Sequence, residues 1–192
     1  MGRRRHLSGE DAEQTLRRLF VDHQQRVLAY AMRRGASYSD AQDVVGETFV
    51  VVWRRISSLP SPDLELAWLY GVAARVLANQ RRSRTRSAAL WGRLRSAAAT
   101  APETEDVGAV DVRDAVSAVK QLRPRDQEVL RLAAWEGQSL KEMALTLHCS
   151  ENAAALRLHR ARERLARELE KENLSDGHLP SRDTFDSQEA AR

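Results

Sequence analysis

The chain has 192 residues with a formal net charge of +4, and 42% of them are apolar but only 5% aromatic. This length suffices for one medium or two small packed domains, and the scarcity of aromatic residues, proline and glycine favours helices over sheets. A single cysteine, Cys149, excludes an intramolecular disulfide and a cysteine-rich zinc site. No uncharged run is longer than residues 66–74, and no apolar segment follows the basic N-terminus, so we expect a cytoplasmic protein without membrane insertion.

The first two predicted helices differ in their apolar pattern. The first runs from about Ala12 to Arg34 and ends at Gly35, and the second begins after Ser39 or Asp40. The second helix, DAQDVVGETFVVVWRRI, carries more apolar residues than one stripe can hold. Either its second side needs a partner, with the acids at its rim, or the helix is surrounded by its own domain.

A loop and a basic helix come next. Ser57–Asp63 contains two prolines and is a loop, and the helix Leu64–Arg82 leads into a run of arginines without an acid. Clustered cations neutralise phosphates and release counterions, so the run indicates a nucleic-acid partner. The periodicity then fades, and the segment 87–110 is predicted to be a flexible linker.

The C-terminal half predicts a helix-turn-helix. A helix restarts at Asp111–Leu122, another covers Pro124–Trp135, and two short apolar patterns then meet at His148-Cys149-Ser150, where Ser150 suits the N-cap. The final helix turns a small-residue, Arg-containing face away from its apolar stripe, an arrangement that fits the DNA major groove. The alternative is an ordinary helical hairpin with a solvated face. Residues 171–192 are predicted to be a disordered tail.

The patterns of common catalytic and cofactor sites are missing from the sequence. The glycines are too widely spaced for a phosphate-binding loop, and the histidines are scattered without an i, i+4 pair. We therefore expect no catalytic residue, no metal and no cofactor, and no enzyme activity.

Both halves together resemble the sigma factors of the extracytoplasmic function (ECF) type in the sigma-70 family, the bacterial promoter-recognition subunits of RNA polymerase. The resemblance rests on DAQDVVGETFVVVWR (Asp40–Arg54), AWLYGVAARVLANQRR (Ala67–Arg82) and the segment Leu122–Arg164. It implies an all-α fold of two small helical domains: a region 2-like domain at 12–86 and a region 4-like helix-turn-helix domain at 111–170, joined by the linker. It also implies a protein that binds core polymerase, recognises the −10 and −35 promoter elements and supports promoter melting.

The resemblance assigns partners and residues. The partners are core polymerase, through its largest-subunit clamp and its flap, promoter DNA, and an anti-sigma factor by family analogy. The polymerase-binding residues would be Asp43, Glu47, Trp53 and Arg54. The −10 element would be held by Ser57, Ser58, Ser61, Asp63, Trp68, Asn79, Arg81 and Arg82, although Trp68 is equally suited to the core. The −35 element would be read by Asn152, Ala155, Leu156, Arg157, His159, Arg160 and Arg162.

The sequence departs from the family pattern at the recognition helix. Ala153-Ala154-Ala155 stands where the family usually has Thr-Val and a basic residue, and His148 replaces a corner glycine. A sigma-like adaptor that has lost DNA binding is therefore one alternative. A stand-alone helix-turn-helix regulator is another, because the C-terminal half also resembles response regulators, but those carry a receiver of alternating strands and helices.

Overall fold

The structure is a computed structural model that describes residues 9–92 and 118–175, and the described chain is all-α. The helices are α1 (Gly9–Met32), α2 (Tyr38–Arg54), α3 (Glu65–Gly92), α4 (the helical residues 118–121), α5 (Pro124–Ala134), α6 (Leu140–Thr146) and α7 (Glu151–Ser175). Two 3₁₀ turns, Ile56–Ser58 and Pro62–Leu64, connect α2 to α3. The described ranges contain no strand, which confirms the predicted fold class.

The turn between α1 and α2 has a local cause. Gly35 adopts a φ of +79°, which glycine takes without a steric penalty, and so reverses the chain after α1. The Ser37 hydroxyl then accepts a hydrogen bond from the Asp40 amide at 3.2 Å and caps α2. The prediction that α2 begins after Ser39 or Asp40 is therefore wrong, because Ser37 is the residue that supplies the cap.

Helices α1, α2 and α3 share a core of fully buried side chains. Leu19, Val27 and Tyr30 of α1 and Val44 and Val52 of α2 are all at most 1% exposed. Burying an aliphatic side chain of this size contributes about 1.5–3 kcal/mol. At the rim of this core, Arg18 donates to both carboxylate oxygens of Glu65, at 2.7 and 2.9 Å, which fixes the start of α3 to α1.

Helix α3 continues further than the apolar pattern predicted. Up to residue 85, its last buried apolar side chain is Leu77, but the backbone stays helical to Gly92. Arginine and alanine, which dominate the segment after Leu77, are among the strongest helix formers and can extend a helix without a packed face. The remainder of the predicted linker, residues 93–110, lies outside the described residues.

The chain divides into two compact units. The first comprises Met1–Asp106 with Arg131–Leu156, and the second Val107–Leu130 with Arg157–Arg192. In the second unit, Arg164 binds both oxygens of Asp126 at 2.7 and 2.8 Å. The Gln127 side-chain amide donates to the carbonyls of Lys120 and Leu122 and holds the end of α4 to α5.

The predicted helix-turn-helix corner is confirmed. Ser139 and Glu142 form a reciprocal capping box at the start of α6. His148 then adopts a φ of +50°, a conformation that histidine tolerates better than most residues. The Ser150 hydroxyl accepts from the Ala153 amide at 3.2 Å and caps α7. Helix α7 continues to Ser175, five residues into the predicted tail, and residues 176–192 lie outside the described chain.

Candidate nucleic-acid and partner interface

Helix α2 has one buried side and one exposed side. Val44, Thr48 and Val52 are 0% exposed, whereas Val50 and Trp53 are 49% and 46% exposed. Six exposed residues, at positions 43, 46, 47, 50, 53 and 54, recur at helical spacing and therefore lie on the same face. We call this face the α2 stripe: Asp43, Gly46, Glu47, Val50, Trp53 and Arg54. Within residues 9–92 and 118–175, nothing buries this side of α2.

The α2 stripe contains all four predicted polymerase-binding residues and two that were not assigned. Val50 was recognised as apolar, and its position three residues from both Glu47 and Trp53 is the signal that would have placed it in the stripe. Gly46 is the second, and a Cβ atom built there meets no atom within 4 Å. The stripe thus combines two acids, an exposed aliphatic residue, an indole ring and bare backbone.

The loop between α2 and α3 presents its polar side chains to solvent. Ser57, Ser58 and Ser61 are exposed, and the Ser58 hydroxyl donates to the Arg55 carbonyl at 3.1 Å. A hydrogen bond from Ser61 and the ammonium group of Lys141 hold the pKa of Asp63 below its usual value. Asp63 is therefore a carboxylate, and the loop offers both donors and an acceptor.

The predicted −10 residues on α3 differ in solvent exposure and in their hydrogen bonds within the protein. Asn79, Arg81 and Arg82 are exposed, whereas Trp68 is half-buried. Arg82 donates to the Asn79 side-chain oxygen at 2.5 Å, and Arg81 donates to the Arg34 carbonyl. An arginine that is already bonded to protein must exchange that bond before it contacts a phosphate. Arg82, which is bonded only to an exposed amide in the described structure, is the better placed of the two.

Another arginine of the basic run also has a partner. Arg84 pairs with Asp40 at the start of α2. The Ser37 hydroxyl, followed by Arg84, lowers the pKa of Asp40 and keeps this carboxylate charged. The arginines of the basic run therefore differ in role: Arg84 pairs α3 with α2, whereas Arg82 is exposed to solvent.

The exposed face of α7 matches the predicted recognition face. The buried stripe is Ala154, Leu158 and Ala161, at 0%, 8% and 0% exposed. Opposite it, Leu156 is 48% exposed, and His159 lies 3.4 Å from the carboxylate of Glu163. Of the seven predicted −35 residues, Asn152, Leu156, Arg157, His159, Arg160 and Arg162 are exposed and Ala155 is half-buried.

The described residues offer neither a metal-binding cluster nor a helix suited to a bilayer. Residues 9–92 and 118–175 hold no group of three or more histidine, cysteine, aspartate or glutamate side chains close enough to bind a metal ion together. Over the same ranges, no helix is both long and apolar enough to cross a bilayer.

Comparison with known families assigns the two halves of the chain. The family model of sigma-70 region 2 matches residues 19–87, which include the α2 stripe and the loop Ser57–Asp63, which we call the serine loop. The model of sigma-70 region 4 matches residues 113–165, which include the helix-turn-helix. The chain belongs to the sigma-70 family. The curated relatives of this sigma factor indicate the ECF type, as the sequence predicted.

Three relatives illustrate the similarity. The sigma factor NccH of Alcaligenes xylosoxydans is 28% identical over 76% of this chain and 82% of the relative. CarQ of Myxococcus xanthus is 28% identical over 83% of this chain and 91% of its own length. The ECF sigma factor SigL of Mycobacterium tuberculosis is 28% identical over 76% of this chain and 84% of SigL. The match thus extends over most of this sigma factor and of each relative.

Two solved structures share the fold. RpoE of Bartonella quintana, solved with the anti-sigma factor NepR, has a TM-score of 0.60 at 22% identity and covers 82% of this chain and 98% of RpoE. CnrH, solved with the cytosolic domain of CnrY, has a TM-score of 0.55 at 23% identity and covers 83% of this chain and 90% of CnrH. This sigma factor directs promoter recognition and transcription initiation, a regulatory role.

Proposed function

We propose that the α2 stripe is the surface through which this sigma factor binds the clamp of the polymerase's largest subunit. The observation that carries the proposal is the exposure of Val50 and Trp53 on a helix whose opposite face is fully buried. Aromatic side chains that are half-exposed in the free protein and surrounded by charge are typical anchors of protein interfaces. Asp43, Glu47 and Arg54 supply the polar rim.

We propose further that the serine loop and the arginines after it hold the melted −10 strand. An unstacked base is recognised by hydrogen bonds to its edge and by a stacking surface. Ser57, Ser58, Ser61 and Asp63 provide such donors and acceptors, and Trp68 is the nearest predicted aromatic surface on α3. Asn79, Arg81 and Arg82 follow along the same helix, where guanidinium groups can neutralise the phosphates of that strand.

For the −35 element, we propose that α7 enters the major groove with its exposed face. Arg160 can bind a guanine edge through two parallel hydrogen bonds, which is worth about 1–3 kcal/mol of discrimination. Leu156 can contact a thymine methyl, and Asn152, Ala155 and His159 lie on the same side. Arg157 and Arg162 flank this face and suit phosphate contacts. The alanines at 153–155 reduce the number of polar contacts, so polymerase binding carries more of the promoter affinity.

We also propose that the flap of the polymerase is a second contact, that the protein acts in the cytoplasm, and that an anti-sigma factor binds it. The relatives RpoE and CnrH, solved with NepR and with the cytosolic domain of CnrY, support the last of these by analogy.

The test is run-off transcription with purified core polymerase on a promoter recovered by selection. We expect initiation only when the protein is added. Val50→Arg should abolish initiation because it places a charge in the α2 stripe, whereas Val21→Arg should not, because Val21 is 65% exposed on α1 and outside the stripe. Arg160→Ala should abolish the preference for the −35 sequence.

The proposal fails if wild-type protein neither initiates transcription nor co-purifies with polymerase. The assignment of the α2 stripe fails separately if Val50→Arg and Val21→Arg behave alike.

A further inference from the structure

A cavity of about 290 Å³ is lined by residues of α1, of the first two turns of α3 and of the segment that follows α5. All of these residues belong to the first compact unit. At about 30 Å³ for each water molecule in the liquid, the volume equals roughly ten waters, which is close to the lower end of the range for small-ligand sites. No residue of the α2 stripe or the serine loop lines the cavity, so the proposed function leaves it unassigned.

The most deeply buried lining residues are Tyr70 and Glu136. The Glu136 side chain is 1% exposed and accepts hydrogen bonds from Arg33 at 2.6 Å and from Arg34 at 3.0 Å, so two guanidinium groups offset its charge. Burial and the Glu136 carboxylate, to which the phenol also donates, raise the pKa of Tyr70 and keep its hydroxyl neutral. The deep part of the cavity is therefore not anionic and does not favour a cation.

Arg26 places an additional positive charge on the wall of the cavity. Its side chain is exposed on α1, close enough to His23 and Tyr70 to lower the pKa of both. Within residues 9–92 and 118–175, no carboxylate pairs with it. The neighbouring Gln25 adds an uncharged amide to the same wall. A guanidinium without a protein partner can bind a ligand carboxylate through two parallel hydrogen bonds.

The apolar part of the lining is suited to a flat ring. Leu66 and Ala29 are half-buried, and Trp135 is 52% exposed. No aromatic ring of the described chain stacks on Trp135, so a face of its indole is available. Aromatic rings pack favourably on one another in offset or edge-to-face geometry. The cavity thus combines an aromatic surface with an unpaired guanidinium.

We propose that this cavity binds one molecule of a small aromatic carboxylic acid. The ligand carboxylate pairs with Arg26, and the ring lies against Trp135 and Leu66. The volume admits one ring or two fused rings but is small for a whole nucleotide. Such a site would make this sigma factor a receptor for an aromatic acid, in addition to its role in initiation. The assignment does not depend on the proposed contacts of the α2 stripe, the serine loop or α7, because none of their residues lines the cavity.

The test is equilibrium dialysis of the full-length protein against cinnamate, an aromatic carboxylate whose absorbance reports its concentration. Cinnamamide, which has the same ring and no charge, is the matched probe. We expect cinnamate to bind one-to-one with a dissociation constant below about 1 mM. Cinnamamide should bind at least about tenfold more weakly, because it lacks the charge that pairs with Arg26.

Two variants should weaken cinnamate binding for different reasons. Arg26→Gln removes the cation and should raise the dissociation constant at least about tenfold, and Trp135→Leu removes the ring surface and should raise it about fivefold. Both side chains are exposed, so neither substitution should disturb folding. The matched controls are Arg17→Gln, with the same loss of charge on α1, and Tyr38→Leu, at a 59% exposed aromatic residue. Both controls lie outside the cavity and should leave binding unchanged.

The assignment is refuted if cinnamate distributes equally across the membrane up to about 10 mM, or if cinnamamide binds as tightly as cinnamate. It is also refuted if either cavity variant binds cinnamate as its control does. Adenosine monophosphate is a third probe: tighter binding than that of cinnamate, lost in Arg26→Gln, would identify a nucleotide site and overturn the aromatic acid. None of these outcomes involves polymerase or promoter DNA, so the proposed function is decided separately by run-off transcription.

Discussion

Replacing Trp53 by alanine should weaken binding to core polymerase more than any other single truncation in the α2 stripe. Trp53 is 46% exposed in the free protein, and a tryptophan offers up to roughly 250 Å² of surface, so about 115 Å² remains for a partner to cover. At about 25 cal/mol per Å², full coverage is worth about 3 kcal/mol. We therefore expect the dissociation constant to rise up to about 100-fold.

The measurement is an equilibrium titration of labelled protein with core polymerase, without DNA. Met32→Ala is the control, since Met32 is 43% exposed at the end of α1 and outside the stripe. Thermal melts of all three proteins should verify that they are folded at the assay temperature. A change of less than threefold for Trp53→Ala would refute the assignment of this face as the polymerase contact.

Two further predictions concern stability. Asp126→Asn should lower the free energy of unfolding of the second unit by about 1.5–3 kcal/mol, because Arg164 loses a charged partner that is largely buried. Glu168→Gln, in an exposed pair, should lower it by less than about 0.5 kcal/mol. Equal losses for the two variants in chemical denaturation would contradict this reasoning. Burial lowers the pKa of His23, so the folded state binds fewer protons than the unfolded state in acid, and stability should fall as the pH drops below about 6.5. His23→Gln should flatten this decline in thermal melts, and an unchanged slope would show that other groups cause it.

The parts of the fold that depend on neighbouring residues could be predicted from the sequence. The excess of apolar residues on α2 predicted that one face packs in the core and that a second face contacts either a partner or the rest of the domain. The structure buries one face and exposes the other. Ser150 and His148 defined the corner through capping and through tolerance of positive φ. In each case, the physical cause lies within a few residues of its effect.

The parts that depend on distant partners could not be predicted. Nothing near Glu136 in the sequence indicates that its carboxylate is buried against Arg33 and Arg34, which precede it by about a hundred residues. The arginine run posed the same difficulty, because composition predicted free cations. In the structure, Arg81 donates to the turn between α1 and α2, and Arg84 donates to Asp40 of α2. A count of charges does not distinguish an arginine that is available to bind a phosphate from one that pairs with another helix of the same protein.

The bare backbone at Gly46 has a consequence for the motion of α2. A glycine in mid-helix weakens the surrounding turns, and within the described structure no packing contact at that position compensates for it. The amides around Gly46 should therefore open more often in the free protein than those of the buried face, and exchange their hydrogens faster. A partner lying directly on that backbone would slow the exchange, and in the proposed function that partner is core polymerase.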